Sequence, residues 1–321
     1  MKVLAVALVL SLGAPAQNGN QSAQPGSENF RAELDALINR HEDERAEKTL
    51  REHIDRGQDP AGACLVLGKL YFDHDDWLRS AKFLEQSLAE QNANNEAHRL
   101  LGLDYRALHR PGEAEAQLLE AARENPSSRI NAYFAGHQLL LNGKFESALP
   151  YLYRSLESDA LGSQPLQAIA LAQARLGNYG LAQSYFRKVL ASSQLTDDER
   201  YATLVNLAVL LLLEQAPQSV EEGLNCATRA AQLRTDSVEA HYLSGKALFK
   251  LRRFSAAEKE LEKAVKLGPE DRRIHFLLAR VYDQLGRQDQ AERERQIVDR
   301  MAAASGETGM ATTAAPELSG P

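Results

Sequence analysis

Catalysis by histidine, cysteine or paired carboxylates needs those groups at spacings that let them converge. The eight histidines of this chain are scattered. His98, His241 and His275 lie in apolar, helix-patterned sequence, and His41, His53 and His109 lie in charged or turn contexts. His74 stands in Asp73-His74-Asp75-Asp76, where metal ligands gather, but oxygen-rich turns of this kind ordinarily serve as solvated helix caps. There is no Gly-rich phosphate loop, nucleophile elbow, His-Glu-x-x-His or paired-cysteine spacing. The sequence therefore assigns no catalytic residue, metal ligand or cofactor, and the expectation is a chain that is not an enzyme. A formal charge of −7 argues against a general nucleic-acid binder.

What positions these residues is a 34-residue period. Units begin at Ala61, Asn95, Arg129, Ser163, Tyr201, Val238 and Arg272. Their eighth residue is Gly68, Gly102, Gly136, Ala170, Ala208, Gly245 or Ala279. Their twentieth is Ser80, Ala114, Ala148, Ala182, Gly223, Ala257 or Ala291, and their twenty-seventh Ser87, Ala121, Ser155, Val189, Ala230, Ala264 or Val298. Small residues at fixed places mark two helices per unit that cross closely, repeated as a stack. Asn142-Gly143, Gly177-Asn178 and Gly286 fit the turns within units, and Asn125-Pro126 and Gly268-Pro269 the breaks between them. The fifth unit keeps register only if its inner turn is three residues longer, near Ala216-Pro217-Gln218-Ser219. Pro150 fits the third unit only in the first turn of its second helix. Cys64 and Cys226 fall in units too far apart for a disulfide and read as two buried thiols.

Leu101-Gly102, Tyr105, Ala114, Leu118, Ala121 and Pro126 in the second unit resemble the tetratricopeptide repeat (TPR) pattern. So do Gly245, Phe254, Ala257, Leu261, Ala264 and Pro269 in the sixth, and Leu278, Ala279, Tyr282, Gly286 and Ala291 in the seventh. At the fourth position, where the family commonly has Trp or Tyr, this chain has Cys64, His98, Leu166, Leu204, His241 and His275. The resemblance implies an all-α fold, a right-handed α-solenoid of stacked helix-turn-helix repeats. It also implies that the first helix of each unit lines a concave groove. Carried over residue by residue, that groove has an apolar middle of Tyr133, Leu140, Leu141, Val209 and Leu212. Around it stand the cations Lys69, Arg99, Arg106, Arg175, Lys246, Lys250 and Arg280. The expected partner is a protein or peptide with apolar and acidic groups. The family's carboxylate-clamping Lys and Asn set does not match: Asn206 stands alone and Lys69 lacks its Asn.

Lys2, the apolar run Val3 to Leu12 and Ala14-Pro15-Ala16 read as a cleaved signal peptide over residues 1–16. Residues 17–27 read as a flexible linker, 28–60 as a degenerate capping hairpin, 61–301 as seven repeats with a closing helix, and 302–321 as a disordered tail. No other segment is apolar enough to span a bilayer. The expectation is a non-enzymatic interaction scaffold, periplasmic or secreted. A self-assembling structural component of the envelope is the alternative.

Overall fold

The computed structural model describes residues 36–37, 42–91 and 93–305. Among them are fifteen α-helices and no strand. After α1 (Asp43–Asp55) come seven pairs. They are α2 (Pro60–Asp73) and α3 (Trp77–Glu90), α4 (Asn95–Ala107) and α5 (Pro111–Glu124), and α6 (Arg129–Leu141) and α7 (Phe145–Ser155). There follow α8 (Gln164–Arg175) and α9 (Tyr179–Leu190), then α10 (Asp197–Leu211) and α11 (Pro217–Leu233). The last are α12 (Val238–Lys250) and α13 (Phe254–Leu267), then α14 (Arg272–Gln284) and α15 (Gln288–Ser305). The residues read as signal peptide and linker, and most of the first half of the capping hairpin, lie outside the described residues. So does the tail beyond Ser305.

The helix ends follow local chemistry. Asp59, Asp76, Asn94, Ser128, Ser237 and Asp271 accept from free N–H groups at helix starts, and Thr196 closes a reciprocal capping box with Glu199. Pro60, Pro111 and Pro217 open helices where no N–H is missed. In six of the seven pairs the inner turn has one residue at positive φ. Gly143, Gly177 and Gly286 supply it without steric cost, while Asp75, His109 and Arg252 adopt it despite their side chains.

The small-residue register is what the packing uses. Ala114, Ala148, Ala182, Ala257 and Ala291 are fully buried, as are Ala121, Ser155, Val189, Ala230 and Ala264. A Cβ on Gly102 would lie 2.6 Å from Leu118 Cγ. Cys64 and Cys226 are separate buried thiols, and burial pushes Cys226 up to about 11. Each second helix packs on its own first helix and on the next. The fifth pair also has the longer turn, with α10 stopping at Leu211 and α11 starting at Pro217.

Two expectations need correction. Pro150 is not in the first turn of α7 but at its sixth residue. The helix tolerates the lost N–H and ends early at Ser155, where Leu156 N–H turns to Tyr153 O. The solenoid also runs past residue 301: Ala302 to Ser305 continue α15, because alanine is the strongest helix former.

Candidate functional site

The inner face is set by which helices meet across repeats. First helices of neighbouring repeats approach one another, as α2 does α4, α4 does α6 and α12 does α14, whereas no two second helices do so comparably. The first-helix side is therefore the narrower, concave side. At one end of it, Lys69 Nζ donates to Glu96 Oε1 at 2.9 Å. Arg99 is almost covered and reaches the same carboxylate only at 3.9 Å. Burial holds the pKa of both Arg99 and Arg106 below the usual guanidinium value.

The middle departs from the expected apolar floor. Tyr133, Leu140 and Leu212 are 8%, 6% and 2% exposed and belong to the continuous core, so they offer little contact area. Leu212 is turned inward because the glycine at Gly223 leaves room for it. Val209 is half-buried against the same core. Leu141 remains exposed on this side, and Arg175 is exposed at the end of α8.

The other end is a true recess. A cavity of about 1140 Å³ lies between α12, α14 and the tip of α15. Tyr242, Phe249 and Phe276 give it an aromatic wall, and Val298 and Ala302 close one side. Lys246, Lys250, Arg252, Arg272, Arg273 and Arg280 line it, and among the described residues no carboxylate does. Phe276 is 56% exposed. Arg280 is held by rings, its guanidinium 4.7 Å from the Phe249 centroid and 6.0 Å from that of Phe276. Arg273 instead pairs with Glu239 and Asp271. Lys246 and Lys250 are less free than their sequence positions imply. Burial, then the charge of Lys250, lowers the pKa of Lys246. Lys250 Nζ donates to the Glu214 carbonyl at 2.9 Å and so ties down the long turn.

The aromatic wall was missed in the sequence although its members stand at groove positions five and twelve. Tyr242 and Phe276 are fifth residues of their units and Phe249 a twelfth. The fourth-position histidines are structural. His98, His241 and His275 pair through Nδ1 with Gln117, Glu260 and Glu294 at 2.6, 2.7 and 2.6 Å. In the last two, Nε2 also meets the Thr235 or Pro269 carbonyl. Each imidazole thus ties the first helix to the second, and those of His241 and His275 also reach the preceding linker. His98, Glu120 and Glu124 bring metal-capable atoms within 4.8 Å of one another, but Glu120 is gripped by Arg123 through both oxygens. His74 is the C-terminal cap of α2, and neighbouring Asp76 caps α3.

Family models described as tetratricopeptide repeat match residues 65–128, 99–164 and 242–296, and another of the same description matches 163–194. The unmatched stretch between 194 and 242 holds the long turn of the fifth pair. Among similar solved structures is a tetratricopeptide repeat protein from Parabacteroides merdae. It has 14% identity, 80% of this chain and 99% of that one covered, and a TM-score of 0.53. YrrB, described as a TPR protein with an unusual peptide-binding site, has 14% identity, 60% and 96% coverage and a TM-score of 0.51. MamA from Desulfovibrio magneticus RS-1 has 21% identity, 56% and 97% coverage and a TM-score of 0.50. At these identities the likeness is one of fold.

Proposed function

The chain belongs to the tetratricopeptide repeat family, and we propose that it works as a non-enzymatic protein-interaction scaffold. Its main partner site is the recess between α12 and α14. The observation that carries this reading is that recess itself: six cations, Arg273 among them already paired with Glu239 and Asp271, and an aromatic wall, on a chain whose formal charge is −7. A local field of opposite sign to the whole molecule would steer an acidic segment to that end. Phe276 and Phe249 would then hold an apolar side chain beside it. The occupant is a peptide segment carrying both acidic and apolar residues. An exported location, read from residues 1–16, belongs to the same proposal. No described helix is long and apolar enough to cross a membrane.

The test is selection from a random peptide display library, followed by titration of the winners against Phe276→Ala and Arg280→Glu. These two side chains are chosen because Phe276 is largely exposed and Arg280 rests on aromatic rings of the recess, whereas Lys250 ties down the long turn. Enrichment of acidic sequences with an aromatic or aliphatic anchor, bound roughly tenfold or more weakly by either variant, is the expected result. Basic or featureless winners, or winners indifferent to both variants, would overturn the site. Appearance of a shortened chain outside the cytoplasm of a Gram-negative expression host would support export, and retention of the full-length chain inside would count against it.

A further inference from the structure

The eleventh residue of a repeat fills the space between its first helix and the helix before. In three repeats it is a buried tyrosine, Tyr71, Tyr105 or Tyr282. Tyr105 Oη donates to Glu85 Oε1 at 2.6 Å, Tyr282 Oη donates to Glu262 Oε1 at 3.4 Å, and Tyr71 Oη accepts from Arg51 Nη2 at 3.2 Å. In the fourth repeat Gln173 makes the same crossing to Tyr153. The sixth repeat has Leu248 there, which has no polar end to make that crossing. Its seventh residue is changed too. Leu67, Leu101, Ala135, Ile169, Leu207 and Leu278 are apolar and buried at that place, but the sixth repeat has Ser244. The third repeat, which pairs Ala135 with Leu139, has Tyr151 of its second helix packed against the Ala135 cluster. The residue of the sixth repeat in the place of Tyr151 is Glu260.

Where these fillings are missing there is a cavity of about 550 Å³ between α11, α12 and α13. Leu224, Ala231 and Leu248 give it apolar walls. Thr228 lines it five residues after Gly223, as Glu85 stands five after Ser80 and Glu262 five after Ala257. A neutral hydroxyl thus occupies the place where crossing tyrosines elsewhere meet a carboxylate. Ser244 also lines the cavity, is 2% exposed, and its hydroxyl has no hydrogen-bond partner among the described residues. A buried polar group left without a partner carries a desolvation cost that a ligand can recover. The charges at this site are already met: Glu260 accepts from Lys263 Nζ at 2.8 Å and pairs with His241 Nδ1 at 2.7 Å. The cavity combines apolar walls with neutral hydroxyls, and its volume lies in the range of small-molecule sites, roughly 300–1,000 Å³.

We propose that this cavity binds a phenol group, whose ring takes the volume that an eleventh-position tyrosine fills in other repeats and whose hydroxyl pairs with that of Ser244. A phenol both donates and accepts, as a serine hydroxyl does, and its uncharged ring suits walls that have no charge to offer. The site lies on the second-helix side of α12, with Ser244 and Leu248, whereas Lys246 and Phe249 of the same helix line the recess. It stands or falls without the recess. Leu224 packs against both the long core and the C-terminal one, so an occupant here would stabilise the seam between them.

The full chain, labelled with 13C at its leucine methyl groups, is titrated separately with p-cresol, toluene, p-toluate and N-acetyltyrosinamide. The Leu224 signals are assigned by their loss in Leu224→Met. p-Cresol should shift them saturably. Toluene should act roughly tenfold more weakly, because it leaves the Ser244 hydroxyl unpaired, and p-toluate should not act at all, because its charge finds no free partner. A response to N-acetyltyrosinamide as strong as that to p-cresol identifies a tyrosine on a bound protein segment as the source, and a response to p-cresol alone identifies a free phenol. Leu248→Tyr supplies the ring from within, so it should abolish the p-cresol shift and raise the thermal midpoint. Ser244→Leu should block the cavity. Ser244→Ala should weaken p-cresol roughly tenfold and leave toluene unchanged. Leu78→Ser, at an exposed residue of α3, should change nothing. Circular dichroism melts establish that each variant is folded, and if Leu248→Tyr or Ser244→Leu does not fold, Ser244→Ala decides. No saturable p-cresol shift, an equal response to toluene, or an undiminished p-cresol response in the folded Ser244 variants overturns the site.

Discussion

Asp104 carries a pH dependence that composition does not reveal. It is fully buried in α4, with both oxygens out of hydrogen-bond geometry. Burial pushes its carboxyl up to about 7, against a smaller pull from the Ser80 hydroxyl beside it. An unfolded aspartate titrates near ~3.9, so the unfolded chain gives up this proton first. Asp104 therefore costs the fold nothing below about pH 4, and the penalty grows as pH rises through about 7, then levels. At about 1.4 kcal/mol for each tenfold change in acidity, that penalty is at most roughly 4 kcal/mol. Asp104→Asn should therefore raise the urea midpoint at pH 8 and leave it nearly unchanged at pH 4. Equal effects at both pH values would show that the carboxyl is not held neutral. The imidazoles of His241 and His275 were readable as packing residues from their register. Asp104 was not, since a lone Asp in a helix ordinarily faces water.

Among the helices, the contact between the eighth residue of a repeat and its second helix limits how closely a pair can pack. A methyl group at Gly102 would meet Leu118 Cγ at 2.6 Å and the Ala114 carbonyl oxygen at 3.2 Å. Gly102→Ala should cost roughly 1–3 kcal/mol by overpacking. Gly112→Ala, where the added carbon meets nothing within 4 Å, should instead stabilise by about 0.5–1 kcal/mol. Thermal melts of the two variants, moving in opposite directions, check the register; both moving the same way would contradict it. Ala148→Leu, at a fully buried crossing, should resemble Gly102→Ala. These contacts were legible because small residues recur at one period. The early end of α7 was not, since it depends on how Pro150 is absorbed within an irregular pair.

Over the whole molecule, stability is a chain of neighbour contacts. One continuous core joins α6 through α12, from Tyr133 to Ala247. The ends have their own smaller cores, with Ala46, Leu50 and Leu67 at one end and Leu261, Val281 and Ala291 at the other. Native-state hydrogen exchange should thus find the slowest amides in α8 to α10, with α1, α2 and α15 opening first and separately. A single opening free energy shared by all helices would show instead that the stack unfolds as one unit. The recess lies near one end of this array, where two successive first helices meet the tip of α15.

From the order of residues alone came the repeat length, the helix pairs and the turns. Periodicity records local packing, and in a stacked array nearly all packing is local. Only the tertiary structure decided which inner-face residues are free. Leu140 and Leu212 share groove positions with Phe249, yet they are buried by neighbours whose size the repeat does not specify. Lys250 and Arg280 look alike as exposed cations, but one is bound to a backbone carbonyl and the other rests between aromatic rings. Whether a charge is paired, stacked or left open depends on side chains one repeat away. No pattern within a single repeat contains that distance.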